Sequence, residues 1–263
     1  MVDSKFYKLG IEGNPIAGEI VIDAHMHIDQ YYNFYIPHYQ FEQLVRNAQR
    51  IGIQRMYGSS LLAICNDAIA GNQRAIHVSS RQRQSQFFRP YLVYKPNYPE
   101  ELEQILTLAE SQNINQFKLH DDGNDLPYDH SNYLPLYEFA DSKQSVVLFH
   151  TYGEKHLSSI TKIADNYKRL KILLGHSGIV DEERYIDAAR KCANIYLETC
   201  ASMAWYGLIE RLVQKAGADR VVFGTDMPFM SPDQQIGRIL FAKISDEEKR
   251  NVLGLNAEHL FSA

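Results

Sequence analysis

Short apolar runs rich in β-branched residues alternate along the chain with longer segments whose apolar residues recur at helical spacing. This alternation is typical of strands and helices that build a parallel sheet. Successive runs begin 24 to 34 residues apart, which leaves room for one strand, one helix and two short loops in each unit. Eight runs are visible, and they begin near Ile20, Gln54, Phe88, Ile114, Ser145, Leu170, Asn194 and Asp219.

Eight strand–helix units predict a single-domain α/β fold, the (β/α)8 TIM barrel. Helix signals agree with this pattern: residues 99–112 open with Pro99, and residues 181–192 open with an acidic stretch. An open doubly wound sheet is the alternative, but no Gly-x-Gly-x-x-Gly follows the first run. We therefore expect residues 19–263 to form the barrel and residues 1–18 to form an N-terminal extension.

The composition fits one such domain. The chain has 263 residues, 45% of them hydrophobic, which is close to the usual size of this barrel. It carries 27 Lys and Arg against 32 Asp and Glu, without a sustained basic stripe, so nucleic acid is not an expected partner. Residues 1–18 lack the features of a secretory signal, and no segment approaches the length of a membrane span. We expect a soluble, cytoplasmic protein with no membrane partner.

Polar side chains end several of the eight runs, where the functional groups of a (β/α)8 barrel collect. His25 and His27 end the first run, and side chains two apart on a strand can point the same way. The pair alone is weak evidence for a metal site, because such pairs also occur on half-exposed strands. The other polar ends would converge on the same rim, where a metal ion would satisfy them. They are Lys118 and His120 on the fourth run, His150 on the fifth, His176 on the sixth and Asp226 on the eighth.

Five motifs resemble the amidohydrolase superfamily, and most closely its amidohydrolase-related branch of metal-dependent hydrolases and nonoxidative decarboxylases. The resemblance runs from about Ile20 to Phe261. It is more specific than any one motif, because all five occur in the family's order and at strand ends. The motifs are IDAHMHI, FKLH, LFHT, LLGHSG and VVFGTDMP.

The resemblance implies one divalent metal ion per chain. It assigns His25, His27, His150 and Asp226 as the metal ligands, with Asp226 also acting on a bound water as a catalytic residue. By the same resemblance, His176 is either a further ligand or the catalytic acid–base histidine beside the metal.

Two residues of the fourth run are expected to contact the substrate. Lys118 falls where some members carry a carboxylated lysine that bridges two metals, and it would otherwise bind a substrate carboxylate. His120 lies beside it at the same strand end.

Histidine and carboxylate ligands suit Zn²⁺, with Mn²⁺ as the other candidate. A metal-activated water would attack a C–N or C–O bond, and an imidazole would deliver a proton to the leaving group. We therefore expect a metal-dependent hydrolase with a small-molecule substrate. There are two alternatives. One is a nonoxidative decarboxylase of an aromatic or enoic acid, with Lys118 or Arg89 holding the carboxylate, and the other is a non-catalytic metal-binding barrel.

The aromatic segment 29–39 either walls the pocket or packs on a partner subunit, so a homodimer is possible.

Overall fold

The computed structural model of the chain describes residues 4–81, 87–121, 124, 126–203 and 205–262. Its strands are short, parallel and largely buried, as the apolar runs predict. They are β1 (Ile22–Ile28), β2 (Arg55–Ser60), β3 (Phe88–Pro90), β4 (Leu92–Val93), β5 (Gln116–Leu119), β6 (Val146–Phe149), β7 (Lys171–Leu174), β8 (Ile195–Glu198) and β9 (Val221–Val222).

These strands form a closed barrel. Strands β1 to β3 pair in one sheet and β4 to β9 in a second. The segments β3 and β4 are two parts of one barrel strand that is interrupted at Tyr91. At the other seam, the backbone N–H of Ala24 donates to the carbonyl of Phe223 at 3.0 Å, and a parallel bridge joins Met26 to Met227. The eight barrel positions confirm the predicted TIM barrel.

An irregularity in β1 decides which of its side chains enter the barrel. The pairing with β2 advances by three residues on β1, from Asp23 to Met26, but by only two residues on β2. This extra residue is a β-bulge. Ala24 packs inside the barrel, yet beyond the bulge Met26 packs in the outer core. His25 and His27 consequently take the inward positions at the end of the strand.

The lower half of the barrel is filled by apolar side chains. The C-terminal helix closes this end, where the ring of Phe261 stacks on Tyr57 with centroids 3.6 Å apart. The interior cluster consists of Ile22, Ala24, Tyr57, Tyr91, Val146, Leu148, Leu173, Val222, Ala257 and Leu260.

The helices surround the barrel and bury a second apolar layer against its outer face. Helix α11 begins with the capping box of Ser245 and Glu248. The helices are α1 (Lys5–Glu12), α2 (Phe41–Ile51), α3 (Leu61–Cys65), α4 (Ala68–Ser80), α5 (Leu102–Ser111), α6 (Leu134–Lys143), α7 (Glu154–Asn166), α8 (Glu182–Lys191), α9 (Leu208–Ala216), α10 (Pro232–Leu240), α11 (Asp246–Arg250) and α12 (Asn256–Phe261). A π-helical turn, Asn251–Leu255, joins α11 to α12.

The N-terminal extension contains α1, which lies outside the barrel. The Ser4 hydroxyl and the Lys5 backbone N–H both donate to the carboxylate of Asp246, so the extension is tied to the C-terminal helices. Within the described residues, no helix combines the length and the apolar character needed to cross a bilayer.

Candidate active site

Three of the predicted metal ligands lie together at the barrel mouth. A carboxylate oxygen of Asp226 is 3.1 Å from His27 Nε2 and 3.7 Å from His25 Nε2. The seam between β1 and β9 fixes this arrangement, because the Asp226 N–H donates to the His25 carbonyl at 2.7 Å and the His27 N–H donates to the Met227 carbonyl at 2.6 Å. The two imidazoles are almost fully buried. Their ligand atoms can therefore face one small volume.

A residue absent from the sequence-based assignments ties these two segments together. The buried carboxylate of Asp23 accepts the backbone N–H of His25 at 3.1 Å and that of Thr225 at 3.0 Å, and it also accepts the Thr225 hydroxyl at 2.6 Å. Burial raises the pKa of Asp23 to about 8, although these donors oppose the rise. Its position two residues before the His-x-His pair was the available sequence signal.

His150 lies in a separate group at the ends of β5 and β6. Its Nδ1 is 2.7 Å from one oxygen of Asp121, whose other oxygen is 3.0 Å from His156 Nε2. The ring of His120 stacks on His150 with centroids 3.9 Å apart. The compact group of His25 and its two neighbours therefore does not include His150, so its assignment as a metal ligand stays a prediction. Neither Asp121 nor His156 is among the site residues that the sequence predicts.

His176 lies above a buried polar cluster at the end of β8. Its Nδ1 is 3.2 Å from the Cys200 sulfur, and its backbone N–H donates to Glu198 at 3.2 Å. Glu198 also lies 3.0 Å from His25 Nδ1 and accepts the Cys200 thiol at 2.9 Å. Burial raises the pKa of Glu198 to about 7. His176 has a positive φ of 61°, a conformation whose strain is often found at functional sites.

Lys118 is deeper in the barrel than the sequence suggested. Its side chain is fully buried, and its Nζ is 3.1 Å from His25 Nε2. Burial lowers its pKa to about 8. Lys118 contacts a predicted metal ligand and is not among the residues that line the cavity, and its direct contact with a substrate carboxylate stays a prediction. Arg89 is exposed on β3 and does not line the cavity either.

A cavity of about 470 Å³ opens above these groups. Its floor is polar, and one wall is aromatic: the Phe229 ring meets Tyr31 and Phe34 edge to face, with centroids 5.1 and 6.0 Å apart. Part of the aromatic segment 29–39 thus walls the pocket. The cavity is lined by His27, Tyr31, Phe34, Leu61, Ile64, His120, Asp121, His150, Tyr152, His176, Asp226 and Phe229.

A larger cavity of about 610 Å³ lies against α2 and α4, where Val45 and His77 contribute to its walls. We place the active site in the smaller cavity because the candidate metal ligands His27 and Asp226 line it. Chemistry rather than size identifies the site.

Burial keeps the histidines of the site neutral. It lowers the pKa of His25, His27 and His150, and it lowers that of His176 to about 3, because little water is present to stabilise the imidazolium. Burial favours the neutral form of Asp226 too, but the hydrogen bond with His27 and the nearby histidines outweigh it and lower the pKa. Neutral imidazoles and an ionised carboxylate are the forms that bind a metal.

A known protein family matches nearly the whole length of this chain. The family model described as Amidohydrolase matches residues 22–263. A gamma-resorcylate decarboxylase from Polaromonas sp. is 30% identical over 37% of this chain, and the match spans 36% of that protein.

Solved structures share the fold. A dihydroxybenzoic acid decarboxylase from Polaromonas sp., with bound manganese and 2-nitroresorcinol, superposes with a TM-score of 0.68 at 18% identity, covering 94% of this chain and 97% of that chain. A 5-carboxyvanillate decarboxylase from Novosphingobium aromaticivorans, with manganese and a nitrobenzoic acid, has a TM-score of 0.73 at 13% identity, with coverages of 95% and 98%. These relatives are decarboxylases, and this finding overturns the expectation of a C–N or C–O hydrolase.

Proposed function

Because the chain belongs to the amidohydrolase family, we propose that it is a metal-dependent nonoxidative decarboxylase of a small aromatic carboxylic acid. One observation carries the proposal: a histidine–aspartate group able to hold a metal lies at the floor of a cavity with an aromatic wall. The named relatives support the reaction class.

The residues at the cavity floor fit a divalent metal. Two imidazole nitrogens and one carboxylate oxygen, from His25, His27 and Asp226, all lie within 4.8 Å of one another. Such mixed nitrogen and oxygen donors bind Mn²⁺ as well as Zn²⁺. We propose these three residues as ligands, with His150 as the fourth, and manganese as the first metal to test, because two similar structures contain it. Zinc stays a prediction.

The walls of the cavity suit a single aromatic ring. A volume of about 470 Å³ is in the range of small-molecule sites. The ring of Phe229 and its neighbours Tyr31 and Phe34 offer edges and faces against which a flat ring packs. Among the described residues, neither Lys nor Arg lines the cavity. The bound metal would therefore supply the positive charge that a substrate carboxylate needs.

In this reaction the bond between the ring carbon and the carboxylate breaks, and CO₂ leaves without the bonding electron pair. The ring carbon keeps that pair and takes up one proton. A bound divalent ion would hold substrate oxygens and offset their negative charge. We assign proton delivery to His176, because it lines the cavity beside the proposed ligands and an imidazole can carry a proton, while Asp226 would bind the metal as an ionised carboxylate. His120 would contact the substrate from the opposite rim.

The test is CO₂ release from a panel of hydroxybenzoates by protein reconstituted with Mn²⁺, compared with Zn²⁺. We expect a metal-dependent release of CO₂ with formation of the corresponding phenol. His25→Ala should lose metal and activity together, whereas His176→Ala should keep the metal and lose turnover. No CO₂ from any aromatic acid, by protein that holds a full equivalent of metal, would refute the proposal.

A further inference from the structure

The proposed histidine ligands share one feature, which is that each Nδ1 already has a protein partner. The partner is Glu198 Oε2 for His25 at 3.0 Å, Ser59 Oγ for His27 at 3.0 Å and Asp121 Oδ1 for His150 at 2.7 Å. A neutral imidazole that donates through Nδ1 has its lone pair on Nε2. A His25 ring that donates to Glu198 in this way leaves its Nε2 available to a metal.

His25 is the most tightly specified of these rings. Its Nδ1 faces a carboxylate oxygen of Glu198, and its Nε2 faces Nζ of Lys118 at 3.1 Å. A carboxylate accepts hydrogen bonds and an ammonium donates them, so both neighbours require the same tautomer, with the proton on Nδ1. We propose that Glu198 is a positioning residue, which accepts the Nδ1 proton of His25 and thereby aims Nε2 at the metal. The inference rests on the proposed function, in which His25 is a ligand.

The carboxylate of Glu198 is held in place for this task. It is fully buried, and it accepts three further hydrogen bonds: from the backbone N–H groups of His176 and Cys200 and from the Cys200 thiol. Gly224 leaves the space that it needs, since a Cβ there would lie 2.3 Å from Glu198 Oε1. A carboxylate with so many fixed donors cannot turn away, so the orientation of the His25 ring follows from it.

Two substitutions separate the role of this carboxylate from simple packing. Glu198→Ala removes every acceptor, whereas Glu198→Gln keeps the shape and one acceptor oxygen. Partners behind a metal-binding histidine are worth roughly 10- to 100-fold in affinity. We expect the Mn²⁺ dissociation constant, measured by electron paramagnetic resonance, to rise by about that factor in Glu198→Ala and by less in Glu198→Gln.

The second readout needs no metal. In protein with ¹⁵N-labelled histidine, the imidazole resonances of His25 should report the Nδ1-protonated tautomer, and this signature should be lost or mixed in Glu198→Ala. Asp23→Asn is the matched control, because Asp23 is an equally buried carboxyl that binds the backbone of His25 rather than its ring. We expect this control to lower thermal stability and to leave the tautomer unchanged.

The outcomes are distinct. An unchanged His25 tautomer with a dissociation constant within about twofold of wild type in both Glu198 variants would overturn the positioning role. If Glu198→Ala does not fold, Glu198→Gln decides by the same two measurements. If wild-type protein binds Mn²⁺ but releases no CO₂, the decarboxylase proposal fails, while the two readouts on Glu198 still test the positioning role.

Discussion

Gly224, which lies beside the buried carboxylate of Glu198, provides a direct test of how tightly the site is packed. In Gly224→Ala, the new Cβ would lie 2.3 Å from Glu198 Oε1 and 2.9 Å from His25 Cβ. Carbon does not approach other atoms so closely, and Glu198 is held by several donors, so the strands must shift. Inserting a methyl group into such a core costs about 1–3 kcal/mol.

For a chain of this length, each kcal/mol lowers the melting temperature by about 2–4 °C, so we expect a loss of roughly 2–12 °C by calorimetry. Gly237→Ala is the matched control, because the nearest atoms to its Cβ belong to Phe241 at 4.0 Å and the position lies inside α10. Alanine is the better helix former, so this variant should be unchanged or up to about 1 kcal/mol more stable.

The double substitution Gly224→Ala with Glu198→Ala tests whether the contact with the Glu198 carboxylate causes the loss of stability. Removing the carboxylate in Glu198→Ala opens the space that the Gly224→Ala methyl group needs, so the combined loss of stability should be smaller than the sum of the two single losses. The reasoning would be refuted by additive losses, or by a Gly224→Ala variant as stable as the Gly237→Ala control.

Two further predictions concern the metal and the substrate. Histidine ligands with an ordinary pKa of 6.5 would each weaken metal binding about fourfold between pH 7.5 and 6, or roughly 50-fold for three. Burial lowers the pKa of the three proposed histidine ligands. We therefore expect the Mn²⁺ dissociation constant to change less than about fivefold between pH 7.5 and 6. The same measurement on Lys118→Met shows whether the Lys118 ammonium competes with the metal for His25 Nε2. A loss of roughly 50-fold in both proteins would contradict this. In steady-state assays, Phe229→Ala should raise KM for the aromatic acid about 5- to 30-fold, because the substitution removes about 1–2 kcal/mol of ring packing. The metal affinity of this variant should change little. Tyr35 is exposed, so the control variant Tyr35→Ala should leave KM unchanged.

The fold and the rim of the site could be read from the sequence because both depend on local pattern. Eight apolar runs at regular intervals specify the barrel, and a polar residue at the end of a run must lie at its mouth. His27 and Asp226 come together as predicted. The depth of Lys118 in the barrel could not be predicted from the sequence. Lys118 and His120 are two residues apart and so share a face of the strand, but they lie at different distances from the barrel mouth.

The residues that support the ligands were harder to predict because their partners are distant in sequence. Glu198 is 173 positions from His25, and Asp121 is 35 positions from His156. A local sequence motif does not predict which buried carboxylate will contact which histidine ring. Gly224 carried a usable signal, since a glycine before a predicted ligand often marks a close approach of neighbouring groups.

The bulge in β1 makes the metal site depend on the local geometry of the strand as well as on its residues. If the same residues formed a regular strand, the alternation that places Ala24 inside the barrel would continue to Met26, and both histidines would point toward the helices. Deleting Ala24 would instead let a regular strand keep Met26 opposite Gly58, with both histidines facing inward. The direction of the His-x-His pair therefore cannot be read from the alternation of β1 alone.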